Sequence, residues 1–251
     1  MPFAAPHDES NGTDDRLHVV RSVNRVIGVE EPMSARQSKS QPEARRRQRA
    51  KKTLEALKRL FPQVKPFLHF SNPWELLVAV MLSARCTDKK VNEVTEKLFR
   101  KYRTLDDYLR ANPKEFEQEI KPTGFFKEKA GRILAAAQVI KTRFGGQVPS
   151  AMEDLLQLPG VGRKTANIVL GAGYGVAEGV AVDTHVRRLT RLLDLTDETD
   201  PDKIEQDLMK LIPKSEWVEI SYRLIAYGRQ YCPARSHDHS NCPLSRILND
   251  T

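Results

Sequence analysis

The sequence predicts an all-α fold, and three of its features support that prediction. From about residue 50 onward, apolar residues recur three or four positions apart, the spacing that places them on one face of a helix. Several segments open with Asn or Asp followed by Pro, which is typical of a helix start. No segment alternates polar and apolar residues as a half-buried strand would. We therefore expect many helices joined by short turns.

Start and stop signals divide the chain into individual helices. The Asn–Pro or Asp–Pro start occurs at Asn72–Pro73, Asn112–Pro113 and Asp200–Pro201. The pair Gly145–Gly146 is expected to end the long helical segment that precedes it, because glycine adopts the left-handed conformation of a helix C-terminus. Ser150 and Glu153 have the spacing of a capping box, so a further helix is expected to begin at Ser150.

Composition limits the class of protein and of partner. The 251 residues carry a net charge of +8, which permits a polyanionic partner such as DNA. The sequence contains no apolar run long enough for a transmembrane helix and no signal-peptide pattern, so we expect no membrane partner. Three cysteines cannot all pair within one chain, which favours a reducing cytosol, in the nucleoid if the source is bacterial.

Residues 1–48 are predicted to be a disordered basic extension, because they contain few large apolar residues and many Ser, Gln, Pro and charged residues. The segment ends in the run ARRRQRAKK, residues 44–52. Such a run is either an electrostatic arm for DNA or the solvated face of a helix that continues into TLEALKRLF.

The segment LLQLPGVGRKTANIVLGAG, residues 155–173, is the most informative part of the sequence. It reads as two helices joined by a tight turn in which Gly160 and Gly162 leave backbone N–H groups accessible to a phosphate. We interpret it as a helix-hairpin-helix that binds a DNA backbone through Leu158, Gly160, Gly162, Arg163 and Thr165. The alternative is a plain corner between two helices, which needs only one glycine.

Two residues of this region are candidates for catalysis. Lys164 is expected in the first turn of the second hairpin helix, where the positive field favours the neutral, nucleophilic amine. Alternatively, Lys164 only contributes positive charge to the binding of a DNA phosphate. Asp183 precedes a helix in VAVDTHVRRLTRLL and is either an N-cap alone or also a carboxylate that assists proton transfer.

The motifs LLVAVMLSARCTD, LPGVGRKTAN and VDTH, in this order, resemble the endonuclease III family of DNA glycosylase/AP lyases. The resemblance implies that Lys164 is the nucleophile and Asp183 its partner carboxylate. It also implies two helical domains that flank a DNA cleft. One is a six-helix domain over 67–176, and the other combines 49–66 with 177–251.

The resemblance further implies that a damaged pyrimidine is flipped out of the duplex and removed through a lysine imine, after which the strand is cleaved 3′ by β-elimination. The expected partner is double-stranded DNA with a damaged pyrimidine or an abasic site, bound by a monomer. Two alternatives remain: a non-catalytic damaged-DNA-binding protein, and a glycosylase for another lesion such as pyrimidine dimers.

Two residues depart from the family pattern at the positions expected to fill the gap left by the flipped base. Arg85 stands where glutamine is usual and could bind the orphaned base or a phosphate. Phe125 stands where leucine is usual and is either a stacking wedge or a core residue. His185 of the VDTH motif is also expected to face DNA.

The loop CPARSHDHSNC, residues 232–242, departs most strongly from the family, which usually holds a [4Fe–4S] cluster there with four cysteines. Aligned on its two cysteines, the cluster positions become Cys232, His239, Cys242 and Leu248, and leucine has no donor atom. We therefore expect the cluster to be lost and no metal to be bound. Zinc held by Cys232, His237, His239 and Cys242 is an alternative, although two histidines separated by one residue are unusually close. An incomplete or histidine-ligated iron cluster is another alternative.

Overall fold

The computed structural model describes residues 33–249, with side chains for residues 43–247. All regular secondary structure in this range is helical, which confirms the predicted fold class. The α-helices are α1 (Met33–Leu60), α2 (Pro73–Leu82), α3 (Asp88–Lys101), α4 (Leu105–Leu109), α5 (Pro113–Ile120), α6 (Phe126–Arg143), α7 (Met152–Leu155), α8 (Arg163–Ile168), α9 (Thr184–Leu192), α10 (Pro201–Leu211), α11 (Trp217–Gln230) and α12 (Ser245–Asn249). In the described range, none of these helices combines the length and apolar character needed to cross a lipid bilayer.

Most of the predicted helix boundaries are confirmed at the level of hydrogen bonds. The side chains of Asn72, Asn112 and Asp200 each accept a backbone N–H in the first turn of α2, α5 and α10, respectively. The left-handed pair Gly145–Gly146 follows the end of α6. The predicted capping box at Ser150 is wrong, because α7 begins only at Met152 and its N-cap residue, Ala151, has no side-chain acceptor.

Apolar side chains of the described residues pack into two separate clusters within the compact unit Arg45–Thr251. The first cluster takes its residues from the segment between Trp74 of α2 and Leu170, which lies two positions beyond the end of α8. The second combines Ala50, Leu54 and Leu57 of α1 with residues between Val180 and Leu244. The residues of the first cluster fall within the predicted domain 67–176, and those of the second fall within the predicted domain 49–66 plus 177–251. The boundaries of both domains stay a prediction.

Helix α1 begins earlier than the sequence predicts. Residues 33–48 are helical, although they were expected to belong to a disordered extension, and residues 1–32 of that extension lie outside the described residues. One physical reason is that Ala, Arg, Gln and Lys are good helix formers. Another is that Arg46 pairs with Asp197 at 2.7 Å and Arg49 pairs with Asp194. These two arginines of the basic run therefore stabilise the fold.

We expect truncation at two neighbouring points to have different effects. Deleting residues 1–44 keeps Arg46 and Arg49, so the Tm should stay close to that of the full chain. Deleting residues 1–49 removes both ion pairs and should lower the free energy of unfolding by about 1–2 kcal/mol, or roughly 3–8 °C in Tm. Thermal unfolding of both variants checks this, and equal Tm values would show that the two arginines do not anchor α1.

Candidate active site

The glycine-rich turn between α7 and α8 has the geometry that the hairpin interpretation requires. Gly160 has φ +80°, and a Cβ placed there would lie 2.9 Å from Arg132 Cδ and 3.0 Å from Met81 Cε. Only glycine therefore fits this position, both for its backbone angle and for its lack of a side chain. Gly162 is the N-cap of α8, and a Cβ on it would meet nothing within 4 Å, so its backbone is open to an incoming group.

Two residues of the predicted DNA-binding set have other roles in the structure. The Leu158 side chain is buried in the first cluster, where it packs as a core residue. Arg163 donates from Nε and Nη2 to the carboxylate of Glu205, at 2.6 and 3.1 Å, instead of projecting freely toward a phosphate. Glu205 is buried and also accepts a hydrogen bond from Asn167 Nδ2 at 2.8 Å. The ion pair raises the pKa of the Arg163 guanidinium.

Lys164 and Asp183 line one pocket of about 80 Å³ between the two apolar clusters. Lys164 lies in the first turn of α8 and is exposed. Asp183 is the N-cap of α9, and its Oδ1 accepts the Val186 N–H at 2.8 Å, which confirms the structural part of the prediction. The pocket therefore combines a solvent-accessible amine with a carboxylate held in one orientation.

The same pocket contains polar residues that sequence reasoning did not identify. Asp88 and Arg229 form an ion pair on its wall, and the Arg229 guanidinium lies 4.3 Å from the centre of the Phe67 ring. Burial raises the pKa of Tyr222 to about 12, so its phenol is neutral at physiological pH. The Ser221 hydroxyl is buried and finds no hydrogen-bond partner among the described residues. Apart from Asp88, which ends the motif LLVAVMLSARCTD, these residues belong to no local motif that could have revealed them.

A second pocket, of about 350 Å³, brings together Arg85, Phe125, Gly160 and Thr165. Arg85 and Phe125 both adopt left-handed backbone angles, with φ +54° and +48°, which non-glycine residues rarely do. The Arg85 guanidinium lies 5.2 Å from the centre of the Phe125 ring. Phe125 is 56% exposed, so its alternative interpretation as a core residue is wrong.

His185 lies beside a basic groove lined by Arg187, Arg188 and Arg191. Its Nδ1 is buried and has no partner within the described part of the chain. Burial lowers the pKa of His185, and the nearby Asp183 carboxylate partly opposes that effect. The imidazole is therefore predominantly neutral at physiological pH.

Comparison with known proteins identifies the family of the chain. A family model described as HhH-GPD superfamily base excision DNA repair protein matches residues 78–214. Endonuclease III of Synechocystis sp. is 46% identical over 81% of this chain and 93% of the relative. Endonuclease III of Bacillus subtilis is 43% identical over 76% of this chain and 87% of the relative.

The chain belongs to the endonuclease III family. It is accordingly a DNA glycosylase/AP lyase of base excision repair. A solved structure of a non-covalent endonuclease III–DNA complex is 41% identical, with a TM-score of 0.77, and the match covers 80% of this chain and 94% of that one. A trapped endonuclease III–DNA covalent intermediate matches with the same values.

The loop that carries a [4Fe–4S] cluster elsewhere in the endonuclease III family forms a Cys/His group in this chain. Donor atoms of Cys232, His237, His239 and Cys242 all lie within 4.8 Å of one another, an arrangement that could hold a metal ion. His237 is thus part of the group, although alignment with the family cluster selects only His239. The side chain of Leu248, the fourth aligned position, lies outside the described residues.

Proposed function

We propose that this endonuclease III family member excises oxidised pyrimidines from double-stranded DNA and then cleaves the strand 3′ to the abasic site. The observation that carries the proposal is that Lys164 and Asp183 line the same pocket between the two apolar clusters. A damaged pyrimidine flipped out of the duplex would bring its sugar to this pocket. The endonuclease III trapped as a covalent DNA intermediate supports a covalent route.

In the proposed reaction, the Lys164 amine attacks the anomeric carbon of the sugar and displaces the base. The Asp183 carboxylate stabilises positive charge that develops on the sugar, and the N-cap hydrogen bond to Val186 N–H keeps that carboxylate in place. The bond between the anomeric carbon and the ring oxygen then breaks, which opens the sugar and converts the adduct to an imine. The imine acidifies the neighbouring C2′ proton, and removal of that proton expels the 3′ phosphate and cleaves the strand. Water finally hydrolyses the imine and releases Lys164. No step of this sequence requires a metal ion.

The DNA surface that we propose runs over the hairpin and the second pocket. We expect the exposed glycines of the turn, Gly160 and Gly162, and Thr165 of α8 to meet the phosphate backbone. The side chains of Leu158 and Arg163 are left out of the proposed surface, because one is buried and the other is paired with Glu205. The exposed arginines of α9 form a second basic surface for phosphates, and the neutral His185 imidazole lies beside it.

Lesion preference is tested with duplexes that each contain one defined lesion. Single-turnover excision of an oxidised pyrimidine should be faster than that of a pyrimidine dimer or of an oxidised purine. Preferential excision of the dimer would support the alternative glycosylase function. Tight binding to every damaged duplex without any strand cleavage would instead identify a damage-binding protein.

Phe125 and Arg85 are proposed to fill the space left by the flipped nucleotide. We expect Phe125→Ala to slow excision about 10- to 100-fold, because stacking of an aromatic ring on a base contributes roughly 1–3 kcal/mol. Phe125→Leu is the matched control. Leucine and alanine must both adopt the left-handed backbone angle of this position, but only leucine keeps an apolar wedge. Single-turnover excision rates on one lesion duplex distinguish the two variants. Equal rates for wild type and Phe125→Ala would remove Phe125 from the DNA interface.

A further inference from the structure

The segment from Tyr231 to Leu244 is held closely against α9 and α11. Cys232 and Cys242 are buried within the second apolar cluster, and the Leu244 N–H donates to Tyr227 Oη at 3.2 Å. Arg188 of α9 donates from Nη2 to the Cys232 carbonyl oxygen, and its Nη1 lies 3.5 Å from Cys232 Sγ. The loop is therefore anchored on both sides, and its four Cys and His side chains point to a common centre.

The donor set does not fit the [4Fe–4S] cluster of the endonuclease III family. That cluster takes four thiolates, each on a different iron, so its ligand atoms are spread around a body of four metal ions. Here only two donors are thiols, and all four donor atoms lie within 4.8 Å of one another. The spacing leaves room for a single ion and none for a multinuclear cluster.

Three of the donor-to-donor distances match those around one tetrahedral ion. Zinc binds sulfur at about 2.3 Å and imidazole nitrogen at about 2.0–2.1 Å, so a tetrahedral angle separates the two donor types by about 3.6 Å. The His239 Nδ1 atom lies 3.7 Å from Cys232 Sγ and 3.9 Å from Cys242 Sγ. The His237 Nε2 atom lies 3.3 Å from Cys242 Sγ.

The two histidines can reach one ion despite their close spacing, because they use different ring nitrogens. His237 presents Nε2 to the centre, whereas His239 presents Nδ1. Residues separated by one position can therefore reach the same point from different directions. The Nδ1 of His237 lies 2.9 Å from the carbonyl oxygen of Arg235, which can accept its N–H and so leave the Nε2 lone pair free for a metal.

We propose that Cys232, His237, His239 and Cys242 form a closed structural Zn²⁺ site in place of the iron–sulfur cluster. Binding releases the two thiol protons, so that two thiolates and two neutral imidazoles leave the site without net charge. All four positions are occupied by side chains, so no water is bound and no chemistry takes place on the metal. This role is structural and does not depend on which lesion the enzyme excises.

The wild-type protein supplies the first test, which does not depend on any variant being folded. Protein purified without oxygen and without chelator should be colourless and contain one zinc and no iron by elemental analysis. Replacement of the metal by Co²⁺ should give the strong visible bands of a tetrahedral site with two thiolates. Stoichiometric iron with visible absorbance would overturn the proposal. Metal-free protein whose Tm does not rise with added ZnCl₂ would overturn it equally.

Single substitutions then identify the ligands. Cys242→Ser and His239→Asn should lose most of the bound zinc and have a lower Tm than wild type. Cys86→Ser is the matched control, because Cys86 is a free cysteine that packs against the other apolar cluster, and it should keep one zinc per chain. Full zinc occupancy in Cys242→Ser or in His239→Asn would overturn this ligand set.

If either variant does not fold, a measurement on the wild type takes its place. ZnCl₂ is added to chelator-treated wild-type protein and the released protons are counted. Release of two protons supports a site with two thiolates, and release of no proton contradicts such a site.

Discussion

Replacing Lys164 by alanine is expected to abolish both strand cleavage and the covalent complex that borohydride traps on abasic DNA. The imine needs a primary amine at this point of the pocket, so the loss should exceed about 10³-fold, as is usual when a nucleophile is removed. Folding should be unaffected, because the Lys164 side chain is exposed. Gel analysis of abasic duplexes with and without borohydride measures both effects.

Lys164→Arg is the control that separates charge from chemistry. Arginine keeps the positive charge at the start of α8 but does not form the imine under these conditions, since its guanidinium stays protonated. This variant should bind abasic DNA nearly as tightly as wild type and should give no trapped complex. Trapping at the wild-type level by either variant would mean that another amine is the nucleophile.

Asp183→Asn is expected to reduce turnover by about 10²–10⁴-fold while leaving the fold intact. Asparagine caps a helix about as well as aspartate, so the hydrogen bond from Val186 N–H can be kept while the negative charge is lost. The Tm should therefore stay close to that of wild type. Single-turnover excision and thermal unfolding of the same sample measure the two effects separately.

Asp200→Asn is the matched control, because Asp200 is also a helix N-cap and does not line the pocket of Lys164 and Asp183. It should keep both the Tm and the activity of wild type. A large fall in the Tm of Asp183→Asn would show that Asp183 is mainly structural. Unchanged turnover in that variant would remove Asp183 from the catalytic residues.

Features encoded by short segments could be predicted from the sequence. The caps at Asn72, Asn112 and Asp200 depend on atoms within three residues of one another, and the turn at Gly160 depends on one backbone angle. The capping box at Ser150 failed although its pattern was present, because the pattern states which hydrogen bonds are possible and not where the helix begins.

Features that join distant parts of the chain could not be predicted in this way. Arg163 meets Glu205 across 42 positions, and Arg188 meets Cys232 across 44. No local sequence pattern around Glu205 or Cys232 indicates the arginine that each residue contacts. Likewise, the spacing of His237 and His239 argued against a shared metal until the structure assigned a different ring nitrogen to each histidine.

The bond between α8 and α10 has a consequence for how damage is selected. Glu205 accepts hydrogen bonds from Arg163 and Asn167, and a Cβ on Gly179 would lie only 1.8 Å from its carboxylate, so the Gly179 backbone packs directly against it. Because α8 belongs to the first apolar cluster and α10 to the second, this contact joins the two clusters on either side of the pocket that holds Lys164 and Asp183. We expect such joined walls to resist deformation, so that more of the distortion falls on the DNA. Undamaged duplex resists bending and unstacking more than a damaged site does, and a resistant pocket would therefore favour the damaged site.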